Sequence, residues 1–196
     1  MSYVTTATQI FDNNQAVGWW TDKDTGESLV GNRSLGLVTA LIHSEVSEAM
    51  EGFRKDLNDD HLPERKMIEV EIADAAIRAY DFLGSEISLG LDIGDDRTEE
   101  MAGFVRSGFD LLKVETEVDY LSALHSMISD GYTQATVGQN RDVFSTMCYG
   151  FIIGCEQMSE RFGYDLTGAI KDKLAYNKNR ADHKLENRNK EGGKAF

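Results

Sequence analysis

Leu35–Phe53 reads LGLVTALIHSEVSEAMEGF, and Glu64–Leu83 reads ERKMIEVEIADAAIRAYDFL. At 100° per residue, Leu35, Val38, Leu41, Ile42, Val46, Ala49 and Phe53 form one apolar stripe of a helix. Glu45 falls inside that stripe and Glu48 at its margin, while Glu51 points to the opposite side. In the second stretch Glu71, Asp74, Arg78 and Asp81 recur at i, i+3, i+7 and i+10 and form a single seam. Val70 and Ile77 wall it on one side; Ile68, Ala75 and Phe82 wall it on the other. A carboxylate held among apolar neighbours is costly unless a cation, a metal or hydrogen bonds compensate it. Acid pairs at i, i+3 are common on solvated helix faces, but these lie in apolar stripes on two successive helices. The pattern therefore predicts two antiparallel helices holding an all-oxygen cation site.

The rest of the chain agrees with an all-α helical bundle. It has 196 residues, 41% of them hydrophobic, and one proline. That supports a single domain, residues 1–196, with a sizeable core. Residues 1–33 read as irregular, with a short helix at Thr5–Asn13 and turns at Asp22–Gly26 and Gly31–Asn32. Ser34 is placed to N-cap the first acid-bearing helix. Pro63 is placed to start the second, and Gly84 to end it. Ser85–Arg97 then reads as a loop or a short helical turn, Thr98–Ser107 as a helix, and Asp110–Ser129 as an amphipathic helix. Gly131–Gly138 reads as a break. Arg141–Phe162 is apolar nearly all round, so it is expected to be a buried central helix. Leu166–Arg180 is the last strong helix, and residues 181–196 lose periodicity.

The net charge of −14 is uneven: residues 171–196 carry eight Lys/Arg against four Asp/Glu. An acidic body suits a divalent cation and disfavours nucleic acid, whereas the basic end suits an anion. No signal-type leader or membrane-length apolar run is present, so a soluble, cytoplasmic protein with no membrane association is expected. Cys148 and Cys155 fall at i, i+7 on one helix, about 10.5 Å apart along its axis, too far to bridge. Both are expected as reduced core residues.

Glu45 and Glu48 opposite Glu71 and Asp74 offer oxygen ligands of the kind Mg²⁺ takes in an open octahedral site. Such a site binds phosphate oxygens and activates water, and a first-helix glutamate outside the tightest coordination can take that water's proton. The last helix adds Lys171, Lys173, Asn177, Lys178 and Arg180, which read either as a solvated basic face or as donors to a phosphate chain. Trp19 and Trp20 read either as a cover for one end of the core or as a wall for a stacked base. Arg78 stands between Asp74 and Asp81, so a structural ion pair is expected to hold Asp81, which ranks below the other four acids as a ligand. The chain has no GxxxxGK[ST] loop and no GxSxG elbow, so neither a P-loop nor a covalent serine mechanism is indicated.

Leu41–Arg54 (LIHSEVSEAMEGFR) and Val70–Leu83 (VEIADAAIRAYDFL) resemble the acid-bearing helices of the MazG-like, all-α nucleoside triphosphate pyrophosphohydrolases. The ExxE–ExxD pattern is Glu45-Val-Ser-Glu48, then 22 residues, then Glu71-Ile-Ala-Asp74. The resemblance extends to Gly18–Trp20, to Tyr164–Arg180 (YDLTGAIKDKLAYNKNR) and to the Gly-Gly-Lys near residue 194. It implies that Glu45, Glu48, Glu71 and Asp74 ligate Mg²⁺ (or Mn²⁺), and that Lys173, Asn177 and Arg180 contact the nucleotide. It also implies cleavage between the α- and β-phosphates and assembly as a homodimer or homotetramer. The departure is about 85–141, which reads as an added helical segment. A dimeric dUTPase-type hydrolase shares the acid logic. A ferritin-like di-iron protein needs Glu-x-x-His, and no histidine here has Glu three residues before it. A non-catalytic helical interaction protein is the alternative of a different class, separable by Mg²⁺ titration.

Overall fold

The structure is a computed structural model that describes residues 2–94 and 98–179. Among the described residues there are seven helices: α1 Tyr3–Ala16, α2 Leu35–Lys55, α3 Met67–Ser88, α4 Thr98–Leu112, α5 Glu117–Gly138, α6 Arg141–Phe162 and α7 Leu166–Asn179. Among the described residues β-structure is limited to two isolated bridges, Thr21 with Ser28 and Asn58 with Lys66. The fold is all-α, as the periodicity required.

α3 is the hub and packs against α1, α2, α6 and α7, while α5 lies on both α2 and α6. Its composition explains that place. Ala73, Ala75, Ala76 and Ala79 are fully buried and let neighbouring helices come close on several sides. Ile72, Phe82 and Leu83 fill the spaces between them. α6 supplies the second apolar column, through Phe144, Phe151, Ile152 and Ile153. Cys148 and Cys155 are free and buried in it.

Local chemistry sets the ends. Ser34 caps α2 by accepting the Leu37 N–H, and Asp56 closes that helix in the left-handed region at φ 51°. Thr116 and Asp119 form a reciprocal capping box at the start of α5. Asn140 caps α6, and Gly163 ends it at φ 78°.

Four expected boundaries are corrected. α1 extends from Tyr3 to Ala16, beyond Thr5–Asn13. α3 begins at Met67 rather than Glu64 and runs through Gly84 to Ser88. Gly84 is there for packing: a Cβ on it would lie 2.3 Å from the Ala7 carbonyl oxygen, so α1 crosses α3 at that point. The expected helix over 110–129 is divided between α4 and α5, with Lys113 at φ 53° in the turn. The expected break at 131–138 is helical, because Gly131 admits Met147 of α6, whose Cβ would lie 2.6 Å from any Cβ added there.

Candidate metal centre

α2 and α3 run antiparallel, with Gly52 of α2 resting against Met67 and Ile68 at the start of α3. One to two turns along from that contact, the helices set Glu45 against Glu71 and Asp74. One oxygen from each of these three carboxylates lies within 4.8 Å of the others. Glu45 and Glu71 are buried, and Asp74 is half-buried.

Two cations brace the cluster. Arg78 donates from Nε and Nη2 to Glu45 Oε1, at 3.1 and 2.9 Å. Lys173 Nζ lies 2.7 Å from Asp74 Oδ2 and is only 4% exposed. The lysine reaches this depth because α7 is clamped beside the start of α3. Arg65 donates to Asp172 at 2.8 and 3.0 Å and to Glu69 at 2.6 Å, and Glu69 accepts the Asp165 N–H.

The electrostatics disfavour full ionisation of the cluster. Burial first, then the Asp74, Glu45 and Glu48 charges, push Glu71 up to about 8 against the pull of Lys173. Burial, opposed by Lys173 and aided by Glu45, raises Asp74 to about 6. Burial works against the Lys173 ammonium, but Asp74 and Glu71 outweigh it and hold its pKa above the usual lysine value.

The donor set fits a hard divalent cation. Octahedral ligands at about 2.0–2.1 Å stand about 3 Å apart when adjacent and about 4.2 Å when opposite. The separation of these oxygens, within 4.8 Å, approaches that range. Glu45 presents Oε1 to Arg78, and the ion pair of Asp74 uses Oδ2, which leaves their second oxygens for a metal.

The remaining expected site residues separate. Glu48 is exposed, one turn beyond Glu45 on α2 and outside the three-oxygen cluster. Asn177 is half-buried one turn beyond Lys173, and its buried Oδ1 has no hydrogen-bond partner among the described residues. Lys178 is exposed. Arg180 lies outside the described residues.

Trp20 is not a stacking wall. It is 1% exposed, with its ring edge-on to Phe11 and the Arg33 guanidinium 4.5 Å from its centroid. At that burial the indole has no face open to a ligand. Its Nε1–H donates to Asp81 Oδ1 at 2.9 Å, and Arg33 lies 3.8 Å from Asp81 Oδ2. The expected Arg78–Asp81 pair is thereby corrected: Arg78 crosses to Glu45, and Asp81 is held by the segment before α2. Burial raises Asp81 to about 6 despite hydrogen bonds from Trp20 and Asn14 and the charge of Arg33.

Arg33, Asp59 and Arg65 were not singled out by the sequence. Asp59 is 4% exposed, accepts the His61 and Leu62 N–H groups, and adds its field to Lys173. Asp59 and Arg65 sit in a polar loop whose composition signals only solvent. Comparison with protein-family models, curated proteins and solved structures finds no match to this chain.

Proposed function

We propose that this chain is a divalent-metal-dependent hydrolase of phosphoanhydrides. Its reaction is the cleavage of nucleoside triphosphates between the α- and β-phosphates, giving a nucleoside monophosphate and pyrophosphate. The observation that carries this reading is the convergence of Glu45, Glu71 and Asp74 oxygens between two helices, with Lys173 seated on Asp74. Further support comes from the residue-level resemblance of both acid motifs and of the α7 segment to the MazG-like enzymes.

Glu45, Glu71 and Asp74 would hold Mg²⁺ or Mn²⁺, with Glu48 at the margin. A cation held there would supply charge compensation for the phosphate oxygens and would acidify a nearby water. Arg78 fixes the Glu45 carboxylate in place. Glu48, exposed and outside the buried cluster, accepts the proton of the attacking water. The new bond forms between that water's oxygen and the α-phosphorus, and the bond from the α-phosphorus to the bridging oxygen breaks. Lys173, Asn177 and Arg180 hold the departing pyrophosphate. No side chain becomes covalently attached to substrate. The choice of the α–β bond, and assembly as a homodimer or homotetramer, rest on the resemblance.

The test is incubation with each common NTP and dNTP plus Mg²⁺, with products resolved by phosphorus NMR. Monophosphate and pyrophosphate are expected. Orthophosphate with nucleoside diphosphate would overturn the bond assignment. No turnover of any nucleotide, together with no calorimetric Mg²⁺ binding that Glu71→Ala removes, would leave a non-catalytic interaction protein.

A further inference from the structure

On the side of α2 away from the carboxylates, a second set of ligating atoms meets across the contact with α5. His43 Nδ1 and His125 Nδ1 are 2.6 Å apart, and their rings stack at 4.9 Å between centroids with 27° between planes. His43 Nε2 lies 3.1 Å from Ser129 Oγ. One turn before His43, Thr39 is 8% exposed, and its Oγ1 has no hydrogen-bond partner among the described residues. A further turn back, Gly36 faces the Tyr132 ring and hydroxyl. The α2–α5 contact is therefore a polar seam, where helix packing alone would be served by aliphatic side chains.

Two imidazole nitrogens this close share one proton. In the tautomer in which His43 Nε2–H donates to Ser129, His43 Nδ1 would carry a lone pair able to accept from His125 Nδ1–H. In that tautomer His43 would offer Nδ1 to a metal, with its other nitrogen anchored in the manner that orients a metal-bound histidine. With the His125 proton at Nε2 instead, neither Nδ1 would carry a proton, and the two would stand 2.6 Å apart as candidate ligand atoms.

We propose that His43 and His125 form a two-nitrogen site for a late first-row divalent cation, Cu²⁺ ahead of Ni²⁺, separate from the carboxylate centre. The short bite selects the metal. Metal–imidazole bonds of about 2.0–2.1 Å put two nitrogens about 2.9 Å apart at a right angle and about 3.4 Å apart in a tetrahedron. The 2.6 Å separation is nearer the first, which is the arrangement of tetragonal Cu²⁺ and Ni²⁺. Imidazole pairs also rank these metals above Mg²⁺, which prefers the oxygen cluster. The half-exposed rings leave the remaining coordination positions to water.

The test is titration of the full chain, free of added histidines and in excess Mg²⁺, with Cu²⁺ and then Ni²⁺. Binding is followed by visible absorption and electron paramagnetic resonance. One Cu²⁺ per chain with a two-nitrogen hyperfine pattern is expected. His125→Gln and His43→Gln should each lose that pattern while keeping the far-ultraviolet circular dichroism of the parent. Ser129→Ala should keep the pattern and bind about tenfold more weakly. Glu71→Gln and His61→Gln should leave it unchanged, which separates this site from the proposed hydrolase centre. Absence of a two-nitrogen pattern, or its survival in His125→Gln, overturns the proposal. If His125→Gln does not fold, the folded Ser129→Ala variant decides: unchanged affinity overturns it.

Discussion

Lys173 of α7 and Asp74 of α3 form a 2.7 Å ion pair with the lysine almost wholly out of solvent. Removing one partner of such a pair strands the other, at about 3–5 kcal/mol. Lys173→Met is therefore expected to destabilise the metal-free protein by about 3 kcal/mol near pH 8, measured by urea unfolding in chelator. At pH 5, with Glu71 and Asp74 protonated, the loss should shrink to under half. Equal losses at both pH values would show that packing, not charge, is what the lysine supplies.

Alanine at Glu45, Glu48, Glu71 or Asp74 is expected to lower turnover by roughly 10²-fold or more, through lost metal and charge stabilisation. Glu51 is the control. It pairs with Arg54 and Lys55 of its own helix, on the far side of α2 from the cluster. Glu51→Ala should change kcat/KM less than twofold. Comparable losses at Glu51 and Glu48 would refute the facing of α2.

Glu71 contributes a pH dependence to the metal-free protein, opposed by His43 and His125, which burial holds below the usual histidine value. In the unfolded chain this carboxyl loses its proton near 4.5; in the folded protein it keeps it until about 8. Between those values the native state binds more protons than the unfolded state, so stability falls as pH rises through the window. Asp74, raised to about 6, adds the same sign over a narrower range. In chelator, the melting temperature should therefore be higher at pH 5 than at pH 8. Mg²⁺ should narrow or invert that difference, because it binds the deprotonated carboxylates. Scanning calorimetry at both pH values, with and without Mg²⁺, is the check.

Asp81→Asn preserves an acceptor for the Trp20 indole but leaves the buried Arg33 guanidinium facing a neutral group. A loss of about 1–3 kcal/mol is expected, with calorimetric Mg²⁺ affinity within about twofold of wild type. Abolished Mg²⁺ binding would instead place Asp81 among the ligands.

The sequence was most legible where one helix face meets one neighbour. Ser34 capping α2 and the full extent of α6 follow from spacing and composition alone. It was least legible at glycines. Gly84 and Gly131 are read as helix ends because glycine favours turns, yet both lie within helices to admit a neighbour from a distant part of the chain. The α4–α5 division carried a local signal, the Thr116–Asp119 capping box, that the continuous apolar pattern masks. At the site, helical phase puts Glu45, Glu48, Glu71 and Asp74 together, and the structure brings oxygens of Glu45, Glu71 and Asp74 within 4.8 Å of one another, leaving Glu48 outside. Phase says nothing of partners across helices, so the exchange of Arg78 from Asp81 to Glu45 is visible only in three dimensions.

The contact between Gly84 and Ala7 has an effect well beyond its own size. The atoms nearest an added Cβ include Ala7 backbone, which cannot rotate away as a side chain can. Even alanine there must displace α1 as a body. That helix leads directly into Trp19 and Trp20, and the indole of Trp20 holds Asp81, three residues before Gly84 on α3. A position with no reactive atom thus sets the clearance between the amino-terminal segment and the acid-bearing helix. In a saturation library it should reject every substitute, marking a vulnerable point that a search for chemical groups would pass over.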